Sequence, residues 1–186
     1  CRDFSNSTPP PSSTVPFTTA PDLHVSICSS SSDANAWIQR EVLDKGLDVV
    51  GFDTEWNSPF RFSRSYGSIS GTLQGKKPKR VEARTGLVQI ATPTAALLLR
   101  MKQIDEIPSE LRMILGSSAI IKTGVGVRDD LLKLQKDYDI AYKGYCDLSH
   151  VAYRFFGDTS SQTPGLYPLA NQLFGVNLKK VKKIAA

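Results

Sequence analysis

The sequence predicts an α/β fold built on one mixed sheet. Three observations carry this prediction: a run at 47–52 that is apolar apart from Asp48, two further short apolar runs at 86–91 and 95–101, and a later strand at 119–122 entered from a helix. The first three follow one another with no crossover helix between them, so they should be antiparallel neighbours. A strand reached through a helix should instead lie parallel to the central one.

In chain order, residues 1–22 contain five of the eleven prolines and otherwise mostly Ser, Thr and Asn. Such a composition buries too little apolar surface to offset ordering entropy, so this segment is expected to be a disordered leader. Residues 23–28 alternate apolar and polar, as a half-buried strand does. The serine run ending at Asp33 offers N-caps for a helix to about Lys45, with Trp37, Ile38, Val42 and Leu43 on one face and Gly46 as its stop. The run at 47–52 fits a strand covered on both faces. From 57 to 84 periodicity is lost, which marks a functional loop or an insertion. Helices are expected at 110–115, after Gly126 with Leu131, Leu132, Leu134 and Tyr138, at 147–156 and at 166–174.

A length of 186 residues suits one compact domain, 23–186, with a tail. No run is long and apolar enough to span a bilayer, and no secretory signal pattern is present, so a soluble, intracellular protein is expected. Cys1, Cys28 and Cys146 are odd in number and widely spaced, suggesting neither a disulfide framework nor a zinc site. The net charge is +5, unevenly spread: residues 61–84 carry seven Lys or Arg against Glu82, and 176–186 carry four Lys and no acid. A basic loop and a basic end on an acidic body fit a polyanion partner, although Lys-rich loops also serve solubility. The run Lys76-Lys77-Pro78-Lys79-Arg80 would suit nuclear import or phosphate binding equally.

The central apolar run leads into Asp53-Thr54-Glu55-Trp56. Residues i and i+2 of a strand share a face, so Asp53 and Glu55 should stand side by side. Two adjacent carboxylates repel unless a cation relieves them, and Mg²⁺ or Mn²⁺ is the usual occupant. A strand ending in a turn, with a capping Asp and a solvated Glu, explains the same residues without a metal. Gly124-Val125-Gly126 before a helix invites a dinucleotide reading, but Asp129 stands at the third glycine position and Asp130 follows, placing negative charge where a pyrophosphate would sit. By helical spacing Asp129 faces Lys133 as an i,i+4 pair, whereas Asp130 borders the buried stripe and is the inward carboxylate.

Gly51-Phe52-Asp53-Thr54-Glu55-Trp56, then Gly86-Leu87-Val88-Gln89-Ile90, then Gly124-Val125-Gly126-Val127-Arg128-Asp129-Asp130-Leu131 together resemble the DEDD 3'-5' exonucleases, in their RNase D and Werner-type branch. The resemblance covers about residues 23–186 and implies an RNase H-like fold: three antiparallel strands, then parallel strands, flanked by helices. It implies two-metal phosphodiester hydrolysis at the 3' end of DNA or RNA, with two Mg²⁺ or Mn²⁺ ions. Under it, Asp53 would bridge both ions, Glu55 would hold the ion that activates water, and Asp130 would help hold the other. Thr54, Trp56, Lys76, Lys77, Lys79 and Arg80 are expected at the nucleic acid. Phe52 and Phe60 offer further stacking surface, with Phe52 read first as a buried core residue.

The family's third motif, Tyr-x-x-x-Asp, does not occur in these residues: Tyr142 and Asp147 are one residue too far apart. A C-terminally incomplete exonuclease domain of low or no activity by itself is therefore expected. The competing expectation is an inactive nucleic-acid-binding or interaction module that keeps the fold. A nicotinamide-dependent oxidoreductase is the third, and a nicotinamide cofactor is not expected.

Overall fold

The computed structural model describes residues 23–56, 83–156 and 165–176. The expected leader at 1–22, Phe60, the basic run at 76–80 and the Lys-rich end after 176 lie outside the described residues. Six strands form one sheet in the order β1-β4-β3-β2-β5-β6. They are β1 His24–Cys28, β2 Val49–Glu55, β3 Leu87–Ala91, β4 Ala95–Leu99, β5 Ile121–Gly124 and β6 Tyr145–Asp147. Strands β2, β3 and β4 are antiparallel neighbours, while β5 runs parallel to β2 and β6 parallel to β5. The expected three antiparallel strands followed by parallel ones are thus present. The short strand β6 is not among the expected elements, and its last residue, Asp147, is where a helix is expected to begin; the helix instead starts at Leu148.

The helices are α1 Ser31–Ile38, α2 Ser109–Gly116, α3 Val127–Tyr138, α4 Leu148–Phe156 and α5 Leu166–Phe174. Ser30 caps α1 by accepting from the Asp33 N–H at 3.2 Å. The helix expected to run on to about Lys45 instead passes into a π turn at Gln39–Leu43, which keeps Val42 in the core with Trp37 and Ile38. One sheet face carries Val50, Phe52, Val88, Ile90, Leu97 and Leu99, all buried, and packs against apolar residues of α1, α2 and α3 such as Ile38, Leu111, Ile114, Leu131 and Leu134. Each such side chain adds about 1.5–3 kcal/mol on leaving water. Phe52 belongs to this core, as expected of a buried aromatic on the central strand.

The alternation at 23–28 is real, but its apolar residues face the other way. Val25 is 51% and Ile27 67% exposed, while Cys28 is buried and Ser26 is half-buried. β1 is an edge strand parallel to β4, and the register that aligns Cys28 with Leu99 puts Val25 and Ile27 opposite Ala96 and Leu98 on the outer face. Among the described residues no helix is long and apolar enough to cross a membrane.

Candidate functional site

Strand β2 runs as far as Glu55, so both acids lie within it at its carboxyl end. Thr54 is buried, and Asp53 and Glu55 are exposed on the opposite face. Asp53 stands opposite Gln89 of β3, whose Nε2 donates to its Oδ2 at 3.1 Å. Partial burial and the neighbouring Glu55 charge raise the Asp53 pKa, against a backbone hydrogen bond that lowers it.

Asp130 lies in the first turn of α3 and is 7% exposed, on the inward face that helical spacing assigned to it. Its Oδ1 accepts from the Thr54 hydroxyl at 2.7 Å. Burial pushes its pKa up to about 6, the Thr54 bond opposes this, and the charges of Asp53, Asp129 and Glu55 add to it. The three sequence-predicted acids therefore share one electrostatic field across the end of β2. Thr54, expected at the nucleic acid, instead turns inward and spends its hydroxyl on Asp130, because odd and even positions of a strand face opposite ways.

Both glycines before α3 have structural reasons. A Cβ on Gly124 would meet the Phe52 carbonyl oxygen at 2.5 Å, and Gly126 has φ +78°. The Gly126 N–H, which a phosphate would have to engage, donates to Asp147 Oδ2 at 3.0 Å.

Lys133 corrects one expectation. It does not pair with Asp129 but with Asp137 at 2.7 Å, both side chains being less than 10% exposed, and its ammonium also donates to the Ala83 carbonyl at 2.8 Å. Asp137 Oδ2 accepts from the Thr85 N–H and hydroxyl at 2.7 and 2.9 Å, and the Tyr138 hydroxyl donates to the Thr85 carbonyl at 2.6 Å. Residues 83–85 are thereby strapped to α3. The same ammonium lies 5.9 Å from the centre of the Trp56 ring, so the segments on either side of 57–82 meet at one lysine beside the acids. Asp129 is left exposed at the helix start, where the macrodipole favours it.

The sequence reading missed Gln89, Arg100 and Lys102. Glu55 lines a polar pocket of about 310 Å³ with Arg100 and Lys102, which follow β4 and are level with Glu55 only because β2, β3 and β4 pair antiparallel. The register of the hairpins was the signal, but it requires the pairing to be known. Lys76, Lys77, Lys79 and Arg80 lie outside the described residues.

Asp53, Glu55 and Asp130 offer only oxygen donors, the set that hard divalent ions prefer. Among the described residues no three His, Cys, Asp or Glu side chains are gathered closely enough to hold an ion. The pair on β2 fits a cation electrostatically, since burial and the Glu55 charge raise Asp53, while burial and then the charges of the β2 acids raise Asp130, which is turned to Thr54.

The mixed sheet thus offers two carboxylates at the end of its central strand, with Arg100 and Lys102 in the adjoining pocket. A family model described as 3'-5' exonuclease matches residues 73–186. The chain belongs to that family, the DEDD 3'-5' exonucleases of the Werner-type branch, with an RNase H-like fold. It is 28% identical over 138 residues to the mouse bifunctional 3'-5' exonuclease/ATP-dependent helicase WRN, covering 74% of this chain and 8% of that protein. It is also 28% identical over 141 residues to an Arabidopsis thaliana 3'-5' exonuclease, covering 76% of this chain and 43% of the relative. The chain thus spans less than half the length of either relative. A crystal structure of the EXD2 exonuclease domain soaked in Mn matches with a TM-score of 0.53 and 26% identity, covering 83% of this chain and 71% of the other.

Proposed function

We propose that this chain carries a metal-dependent 3'-5' exonuclease site that hydrolyses phosphodiester bonds from the 3' end of a nucleic acid by a two-metal mechanism. The observation that carries the proposal is the shared field of Asp53, Glu55 and Asp130, in which the two β2 acids help to raise Asp130. Asp53 and Glu55 would hold the ions from the exposed face of β2, and Asp130 would complete the set from α3. Bound there, divalent ions supply Lewis acidity at the phosphate and a lower pKa for the attacking water. Gln89 orients Asp53, and Thr54 orients Asp130. Arg100 and Lys102 draw phosphate oxygens toward the pocket that Glu55 shares with them. Trp56, held beside Lys133, offers a ring on which a terminal base can stack. Mn-soaked structural relatives support a divalent ion as cofactor.

The test is release of mononucleotides from a 5'-labelled oligonucleotide by the intact protein with and without Mg²⁺. Asp53→Ala and Asp130→Ala should each lower Mg²⁺-dependent release by at least about 100-fold while leaving oligonucleotide binding within about twofold. Undiminished release in either variant would remove that residue from the site.

One observation favours a second reading, an inactive nucleic-acid-binding module: the described acids do not gather into a three-residue metal group. That reading expects the intact protein to bind the same oligonucleotide with no release at any Mg²⁺ or Mn²⁺ concentration.

A further inference from the structure

Strands β5 and β6 end level with Phe52, one residue before Asp53, and a cleft of about 690 Å³ opens beyond them between the start of α3, β6 and α4. Arg128, His150 and Arg154 line it, together with Tyr145 and Tyr153. The acid in its wall, Asp147, is already engaged: Oδ2 accepts the Gly126 N–H at 3.0 Å, and Oδ1 accepts the Ser149 N–H and hydroxyl at 3.0 and 2.6 Å. Among the described residues the ion pairs are Arg40–Glu41, Lys45–Glu41 and Lys133–Asp137, so neither guanidinium in this cleft has a carboxylate partner. Tyr145, whose ring meets that of Tyr142 edge-on at 5.9 Å, and Tyr153 are 40% and 49% exposed, so both offer aromatic surface to the cleft. Two guanidiniums without a carboxylate partner among the described residues, lining one cleft with an imidazole and two tyrosines, suit a chain of phosphates with bases attached. The volume is that of a site for a small ligand or a single nucleotide.

We propose that this cleft is a second binding site, which grips the phosphodiester backbone of a single-stranded nucleic acid whose 3' end lies at the acids. The proposal rests on the exonuclease reading for the direction of the strand. β6 is two strands from β2, about 10 Å across the sheet. Extended single-stranded nucleic acid therefore reaches the cleft a few nucleotides upstream of its end. Arg128 and Arg154 bind phosphates, His150 adds a donor, and the two tyrosines stack on bases. Such contacts are sequence-tolerant and make affinity depend on length.

The test is the affinity of the intact protein, in a chelator so that no cleavage occurs, for fluorescein-labelled oligothymidylates of 2 and 12 nucleotides over a series of salt concentrations. Arg128→Gln/Arg154→Gln should weaken 12-mer binding about tenfold, make its salt dependence shallower by about 1.4 in log–log slope, and leave the 2-mer, which spans a single nucleotide step, unchanged. Arg128→Lys/Arg154→Lys, which keeps both charges, should retain the wild-type slope. Equal 12-mer affinity and slope in wild type and Gln variant overturns the proposal, as does an equal loss on both lengths. Failure of the exonuclease reading appears elsewhere, as a wild-type protein that binds the 12-mer but releases no nucleotide when Mg²⁺ is restored. In that outcome the cleft still stands if the Gln variant alone loses affinity.

Discussion

Asp130 is an acid that its surroundings would rather keep neutral. Its folded pKa of about 6 exceeds the ordinary 3.8, so the native state holds the proton more tightly than the unfolded chain does. Its contribution to stability is therefore full below about pH 4 and is lost as pH rises through about 6. Asp130→Asn keeps an acceptor for Thr54 and removes the charge. At pH 7.5 and without divalent ions it should raise stability by about 1–3 kcal/mol, a gain that vanishes below about pH 4, as denaturant midpoints would show. An unchanged midpoint at pH 7.5 would mean that the acid field is relieved some other way. Lys122 is the opposite case. It is fully buried, and its ammonium donates to the carbonyls of Ile114, Ser117 and Ile120 at 2.7–2.9 Å, closing the carboxyl end of α2. Burial lowers its pKa to about 8 from 10.5, so the unfolded chain binds the extra proton between those values and stability rises with pH across that window. Lys122→Met should flatten that rise and, by leaving three carbonyls unpartnered, destabilise the fold by about 1–3 kcal/mol at pH 7. Thermal melts of both proteins at pH 7 and pH 10 check this.

At the scale of elements, α3 does two jobs with opposite ends. Its first turn delivers Asp130 to β2, and its last turns hold the strap of residues 83–85 through Lys133, Asp137 and Tyr138. Asp137→Ala leaves the Lys133 ammonium without its carboxylate at a buried position, and removing one partner of such a pair destabilises by about 3–5 kcal/mol. The same change frees Thr85 and loosens the lysine beside Trp56. The expected outcome is a lower melting temperature together with faster amide exchange at 84–86. Exchange that stays protected there would mean that the bonds left intact, from Arg84 to the Asp137 carbonyl, Lys133 to the Ala83 carbonyl and Tyr138 to the Thr85 carbonyl, are enough to hold the strap.

For the molecule as a whole, antiparallel hairpins and parallel crossovers bring their chemistry to one end of one sheet. The carboxyl end of β2 carries the acids, the end of β4 brings Arg100 and Lys102, and the ends of β5 and β6 open onto Arg128 and Arg154. Negative charge concentrated between cations is a poor resting state and a good receptor for divalent ions with a phosphate. Because such ions would bind the folded chain and not the unfolded one, Mg²⁺ or Mn²⁺ at about 100 times its dissociation constant should stabilise the protein by about 2.7 kcal/mol. A melt series with and without chelator measures the gain. Asp53→Ala should abolish it, and a gain that survives in that variant would place the ion elsewhere.

What the sequence determined by itself is what periodicity and spacing encode. Asp53 and Glu55 share a face because a strand repeats every two residues, Asp130 turns inward because it borders an apolar stripe, and three runs without crossovers must pair antiparallel. Tertiary structure decided which of two equivalent options each pattern took. Alternation in β1 says that Val25 and Ile27 share a side, not that this side faces outward. That followed from the register with β4, which committed Cys28 to the core. Helical spacing gives Lys133 acids at both i−4 and i+4, and the strap at Ala83 and Thr85 selected Asp137. The burial of Lys122, the Asp130 partner of the Thr54 hydroxyl and the cations beside Glu55 had no local signature, since each depends on another element, whereas the inward face of Thr54 follows from the strand repeat. Local patterns constrain a residue's neighbours on its own element, and only packing chooses its partners on another.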